Sequence, residues 1–245
     1  MRFEMTDRTV EAVLFDLDGT LLDTVDDLVA AANHALAHEG LPIAEAHELK
    51  SHVSGGARTM IGYWLVKTLE QRPTLPYPGV NMVLEENRAL FERVVHRMMA
   101  YYEKNPANHT RYFEGMESVL DHLEGRGIPW GIVTNKRTRY TQPLTEALAI
   151  DRRTPCIISG DTTAEAKPHP LPLIEASARL GINPDHCVYI GDAARDIEAG
   201  RRAGMMTLAA LYGYINANED IDGWGADDAL EVPTDLIPWM KRQGG

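Results

Sequence analysis

Asp16 and Asp18 stand two residues apart directly behind the apolar run Val13, Leu14, Phe15, and Asp23 closes the same stretch, VLFDLDGTLLDT. A strand that ends in closely spaced like charges gains no stability from them, so a chemical reason is needed. Other reactive types stand behind other apolar runs. Thr134 and Asn135 follow PWGIV, Lys167 lies in AKPHP beyond CIIS, and Asp192 and Asp196 lie in GDAARD after CVYI. Carboxylates that face one another repel unless a cation sits among them, and Mg²⁺ prefers a few carboxylate oxygens plus water. A hydroxyl, an amide and a lysine facing one point suit the oxygens of a phosphoryl group. A carboxylate can attack phosphorus to give an aspartyl phosphate. A second aspartate two residues on can reach the leaving oxygen as general acid and then activate water.

This chemistry needs several strand ends at one place. Strand candidates fall at 11–15, 129–133, 156–159, 187–190 and 206–211, with helices near 116–126, 138–149, 170–180 and 195–203. The alternation predicts an α/β fold built on a doubly wound, mostly parallel sheet. The strands lack period-two alternation, as expected when helices cover both faces. In such sheets ligands bind beyond the carboxyl ends of the strands, where all these residues stand.

The interval 24–110 reads differently. Val25, Leu28, Val29, Ala32 and Leu36 fall at helical spacing, and Gly40 sits where a C-terminal stop belongs. Stripes from Met60 to Leu69 and from Leu90 to Tyr102 follow, the last ending before Pro106. The spacing predicts an all-helical insertion over 24–110, with 1–23 and 111–245 forming the α/β core. The Pro-rich segment 71–80 is expected to be a loop, and Asp23 an N-cap for the helix that follows.

Composition narrows the function. The 245 residues carry 24 Lys+Arg against 36 Asp+Glu, a net charge of −12, which disfavours nucleic acid and anionic membranes as partners. No run of about 20 apolar residues that could span a bilayer occurs, and the N-terminus lacks the apolar stretch of a signal peptide. Cys156 and Cys187 each sit in an apolar run and read as buried structural thiols, which fits a reducing cytoplasm.

DLDGTLLDT, VTN, KPHP and GDAARD, in this order, resemble the four motifs of the haloacid dehalogenase superfamily, in its phosphatase branch with a helical cap after the first motif. The resemblance covers nearly the whole chain. It implies that Asp16 is the nucleophile and a metal ligand. Asp18 would be the general acid and base, its backbone carbonyl also touching the metal. It further implies that Thr134, with Asn135, binds the phosphoryl group, that Lys167 neutralises it, and that Asp192 binds Mg²⁺ while Asp196 belongs to the same metal site, orienting the ion or its water. Gly19 permits the tight turn that aims both carboxylates inward. Ala193, Ala194 and Arg195 depart from the small polar residues common in relatives, and FEGM at 113–116 replaces the usual Pro-Gly turn.

In capped relatives a loop corresponding to SHVSGGARTM reaches the substrate, which makes Ser54, Gly55, Gly56 and Arg58 specificity candidates. The chain is most similar to phosphoglycolate phosphatases. GIPWGIVTNK, LYGY and WGAD also resemble phosphatases of N-acetylmuramic acid 6-phosphate. The expected activity is Mg²⁺-dependent hydrolysis of a small phosphorylated metabolite by a monomer or homodimer. A phosphomutase of the same superfamily is a less favoured alternative. A dehalogenase lacks the second aspartate, and a phospho-receiver module has no cap.

Overall fold

The computed structural model describes residues 9–69, 85, 87–216 and 218–243; the segment 71–80 lies outside them. The chain divides into two compact units, Met1–Asp23 with Arg111–Gly245, and Thr24–Thr110.

The strands of the first unit are, in chain order, β1 (Ala12–Phe15), β2 (Leu22–Asp23), β3 (Arg111–Tyr112), β4 (Trp130–Val133), β5 (Ile157–Ile158), β6 (Cys187–Gly191), β7 (Met206–Ala210) and β8 (Asp228–Leu230). Six of them form one sheet in the order β5-β4-β1-β6-β7-β8, all neighbours parallel. Val13 pairs with Trp130 on one side and with Val188 on the other. The strand order therefore reverses beside β1, and its carboxyl end opens on the crevice where such sheets bind ligands.

Helices Met116–Gly125, Thr138–Ala147, Leu171–Leu180 and Ala194–Arg202 connect the strands. Every residue of β1, β4, β6 and β7 is buried, which explains the absence of alternation in their sequences. Leu14, Val133, Ile158, Leu173 and Tyr189 share one core cluster. Burying a Leu or Ile side chain contributes about 1.5–3 kcal/mol. Phe15 meets Trp130 edge to face at 6.3 Å, and the indole nitrogen donates to Glu124 at 3.0 Å. Aromatic pairs prefer this arrangement because ring edges carry positive and faces negative charge.

Two features differ from the sequence expectation. β8 and the helix Leu236–Arg242 extend the sheet unit beyond the last element expected. The edge strand holds three residues, two of them exposed, so its apolar signal is too weak to read. Asp23 does not cap the following helix. Thr24 occupies that position, while Asp23 pairs within β2, accepts from the Tyr214 hydroxyl at 2.8 Å and lies 3.6 Å from Arg111. The antiparallel β2–β3 pair, formed where the chain leaves and re-enters this unit, takes Asp23 into its ladder.

The second unit holds the helices Val25–His38, Ala46–Leu49, Gly56–Leu69 and Arg88–Lys104. Val25–His38 buries Leu28, Val29, Ala32 and Leu36, the expected stripe. It stops at Gly40, whose φ of +69° suits glycine, while Leu41 N–H returns to the Leu36 carbonyl at 2.9 Å. Asp27 is buried and accepts from the backbone of His109 and from both the backbone and hydroxyl of Thr110, the last two at 2.8 and 2.7 Å. Those donors offset the cost of burying a charge. Among the described residues no helix is long and apolar enough to cross a membrane.

Candidate active site

At the end of β1 the backbone of Asp16 still donates to Ile190 at 2.8 Å, which fixes its side chain at the sheet edge. Gly19 then takes a φ of +89° and closes a turn by donating to the Leu22 carbonyl at 3.0 Å. A Cβ at Gly19 would collide with the Asp192 carboxylate and stand 2.8 Å from the Tyr214 ring. Backbone conformation and close packing thus both demand glycine here.

Lys167 is the centre of the site. Its ammonium is fully buried and lies 2.8 Å from Asp16 Oδ1, 2.8 Å from Asp196 Oδ1, 2.8 Å from the Val133 carbonyl and 2.7 Å from the Tyr189 hydroxyl. The amide of Asn135 clamps the Lys167 backbone, accepting from its N–H at 3.0 Å and donating to its carbonyl at 2.9 Å. The Asn135 amide, expected at the phosphoryl group, meets the Lys167 backbone here. Burial raises the Asp196 carboxyl above the usual carboxylate range, against the pull of Lys167. Burial also raises the Tyr189 hydroxyl, with the charges of Asp196 and Asp16 adding to it.

Asp16, Asp192 and Asp196 are all buried, and each presents a carboxylate oxygen within 4.8 Å of the others. Asp192 Oδ2 accepts from the Tyr214 backbone at 2.9 Å. Asp196 has both oxygens engaged, Oδ1 by Lys167 and Oδ2 by the Ala193 N–H at 3.1 Å, where it caps its own helix. Asp16 Oδ1 is buried and accepts no hydrogen bond among the described residues, Lys167 meeting it only as an ion pair. Hard carboxylate oxygens crowded together, one without a hydrogen-bond donor, fit a divalent cation such as Mg²⁺. Asp16 and Asp192 are the residues suited to hold it, and Asp196 suits orienting Lys167. Arg195 adds a second cation: burial lowers its pKa, but the charges of Asp196, Asp16 and Asp192 outweigh that and raise it.

Asp18 is held by Lys136, whose ammonium stands 2.6 and 2.9 Å from its two oxygens. Thr134 is buried at the end of β4, and its hydroxyl accepts from the Lys136 backbone at 3.1 Å. Sequence reasoning passed over Lys136, although it follows Thr134 and Asn135 behind the same strand. It passed over Tyr189, because a tyrosine in an apolar run reads as core, and gave Tyr214, quoted within LYGY, no role.

Ser54, Gly55, Gly56 and Arg58 belong to the other unit. Gly56, with a φ of +80°, opens the helix Gly56–Leu69. Arg58 makes an exposed two-pronged pair with Glu92 at 2.9 and 2.6 Å and lies over the Phe91 ring at 4.6 Å.

The doubly wound sheet, with carboxylates gathered at its strand ends, places the chain among α/β proteins. Residues 13–210 match the haloacid dehalogenase-like hydrolases, and the chain belongs to that family. It is 39% identical to a phosphoglycolate phosphatase of Xanthomonas campestris pv. campestris strain 8004, over 94% of this chain and 96% of that protein. It is 35% identical to an N-acetylmuramic acid 6-phosphate phosphatase of Pseudomonas putida, over 93% of this chain and 94% of that protein. A crystal structure of a predicted phosphoglycolate phosphatase from Haemophilus somnus 129pt superposes with a TM-score of 0.77 at 26% identity, covering 96% of this chain and 99% of that one.

Proposed function

We propose that this protein is a Mg²⁺-dependent phosphomonoesterase acting on a small phosphorylated metabolite, with phosphoglycolate as the foremost substrate. The observation that carries this reading is the buried triad Asp16, Asp192 and Asp196 gathered around Lys167 at the strand ends. Asp16 attacks phosphorus and becomes an aspartyl phosphate while the ester oxygen leaves. Asp18 gives that oxygen its proton, then takes one from the water that frees phosphate from Asp16. Lys167 and the Thr134 hydroxyl hold the phosphoryl oxygens. Because carbonyl, phenol and carboxylates already fix the ammonium, it needs no reorganisation as charge shifts. Mg²⁺, when bound by Asp16 and Asp192, would neutralise phosphoryl charge.

Thr24–Thr110 is assigned the part of a substrate-selecting cap, with 54–58 as its specificity loop. The likeness to the Pseudomonas putida relative supports N-acetylmuramic acid 6-phosphate as a second substrate to test. Two buried free thiols suit a reducing compartment, and we assign the enzyme to the cytoplasm.

The test is phosphate release from a panel of monoesters that includes both compounds. Turnover should stop with EDTA, return with Mg²⁺ and be inhibited by Ca²⁺, whose looser coordination disturbs the geometry. Full activity in metal-free buffer would refute the metal assignment. Inertness toward every ester would refute the reading.

A further inference from the structure

Lys136 has a role to fill that the scheme above leaves open. Its backbone is tied on three sides: the N–H donates to Thr134 Oγ1 at 3.1 Å, and the carbonyl accepts from Gly160 N–H at 2.9 Å and from Thr141 Oγ1 at 3.1 Å. The side chain therefore rises from a fixed base. Only 8% of it is exposed, and its ammonium grips both oxygens of Asp18, whose side chain is 17% exposed. An ammonium so little hydrated needs an anion beside it at all times. Yet Asp18 cannot turn an oxygen to the ester while both face Lys136.

The two demands are met together if a second anion arrives with the substrate. We propose that Lys136 selects substrates by exchanging counterions, leaving Asp18 for an anionic group that the substrate carries within a few bonds of its ester oxygen. The exchange frees the Asp18 side chain to swing to that oxygen, so binding of the right substrate assembles the site. This rests on the phosphomonoesterase reading and narrows its substrate. In phosphoglycolate the carboxylate sits on the carbon that bears the ester oxygen, within reach of a lysine beside Asp18. In N-acetylmuramic acid 6-phosphate it sits on the lactyl group, remote from the phosphate, where a lysine fixed at Thr134 and Gly160 does not reach. The exchange thus favours the smaller ester.

Two measurements test this. In the first, kcat/KM is determined for phosphoglycolate and for glycerol phosphate, whose alcohol is uncharged, with wild type, Lys136→Met and Lys136→Arg. Losing one charge-assisted contact weakens binding about ten- to a hundredfold. The phosphoglycolate-to-glycerol phosphate ratio should fall by that factor in Lys136→Met, chiefly through KM. Lys136→Arg should keep most of the ratio. A ratio unchanged in Lys136→Met overturns the exchange while leaving the phosphatase reading intact. A wild type inert toward all esters overturns both.

The second measurement needs only wild type and keeps the proposal falsifiable if Lys136→Met fails to fold. Inhibition of glycerol phosphate hydrolysis is compared for 3-phosphonopropionate, which copies phosphoglycolate without its ester oxygen, and propylphosphonate, which lacks the carboxylate. The first should inhibit at least about tenfold more tightly. Equal inhibition overturns the proposal.

Discussion

The strand ends of the sheet unit and the loop 54–58 of the helical unit both present charged side chains, but they hold them in opposite ways. Around Lys167 the charges are buried and shared: one ammonium serves two carboxylates, a phenol and a carbonyl, and Asn135 fixes its backbone. Arg58 and Glu92 instead form a single pair in water, with side chains 60% and 49% exposed. Buried charges depend on every partner, since losing one leaves another uncompensated in a medium that cannot hydrate it. A solvated pair can be exchanged with little consequence for the fold. The proposed chemistry suits the first setting, and the proposed substrate selection suits the second.

Removing Asp16 bears hardest on this contrast. Asp16→Asn should keep the fold and drop steady-state phosphate release below about 1% of wild type, because nucleophile and metal ligand go together. Asp18→Asn should come close to it. Normal turnover in either variant would reassign the role.

Next comes Asp27, the exception in the helical unit because its charge is buried. Asp27→Ala strands the N–H and hydroxyl groups of Thr110 and the N–H of His109. It should destabilise the protein by about 3 kcal/mol, with faster hydrogen exchange concentrated in 24–110. Unchanged denaturant midpoints would show that solvent replaces those bonds.

Asn135→Ala removes two bonds to the Lys167 backbone. A displaced ammonium stabilises phosphoryl charge less well, so kcat should fall about tenfold with a small change in KM. An effect on KM alone would mean that Asn135 meets substrate directly. Arg58→Ala should leave the melting temperature unchanged and lower kcat/KM on carboxylate-bearing esters by about tenfold. Equal losses on neutral esters would deny it a part in selection.

The smallest effect belongs to the thiols. Burial pushes Cys156 up to about 11 and Cys187 up to about 12. The folded state therefore favours the protonated thiol. The stability this contributes is complete below the ordinary thiol range and is lost as pH rises from about 9 toward these values. Alkylation of the folded protein at pH 8 should be negligible and should appear only with denaturant. Rapid labelling at pH 8 would show that the thiols are reachable.

Much of this was written in local sequence. Apolar runs without alternation marked β1, β4, β6 and β7, because strands covered on both faces need no polar side. Helical stripes in 24–110 and the stop at Gly40 were equally plain, since amphipathic spacing and a left-handed glycine act within a turn or two. The order of Asp16, Asp18, Thr134, Lys167, Asp192 and Asp196 pointed to the chemistry, because a parallel sheet delivers whatever follows each strand to the same edge. Tertiary structure alone decided which charge meets which. Asn135 facing the Lys167 backbone, Asp23 turned to Tyr214 instead of to its helix, and Lys136 gripping Asp18 are contacts between residues 32, 191 and 118 positions apart. No local pattern records such pairs, because their partners are set by the folded sheet, and the strength of each charge depends on the burial that folding imposes.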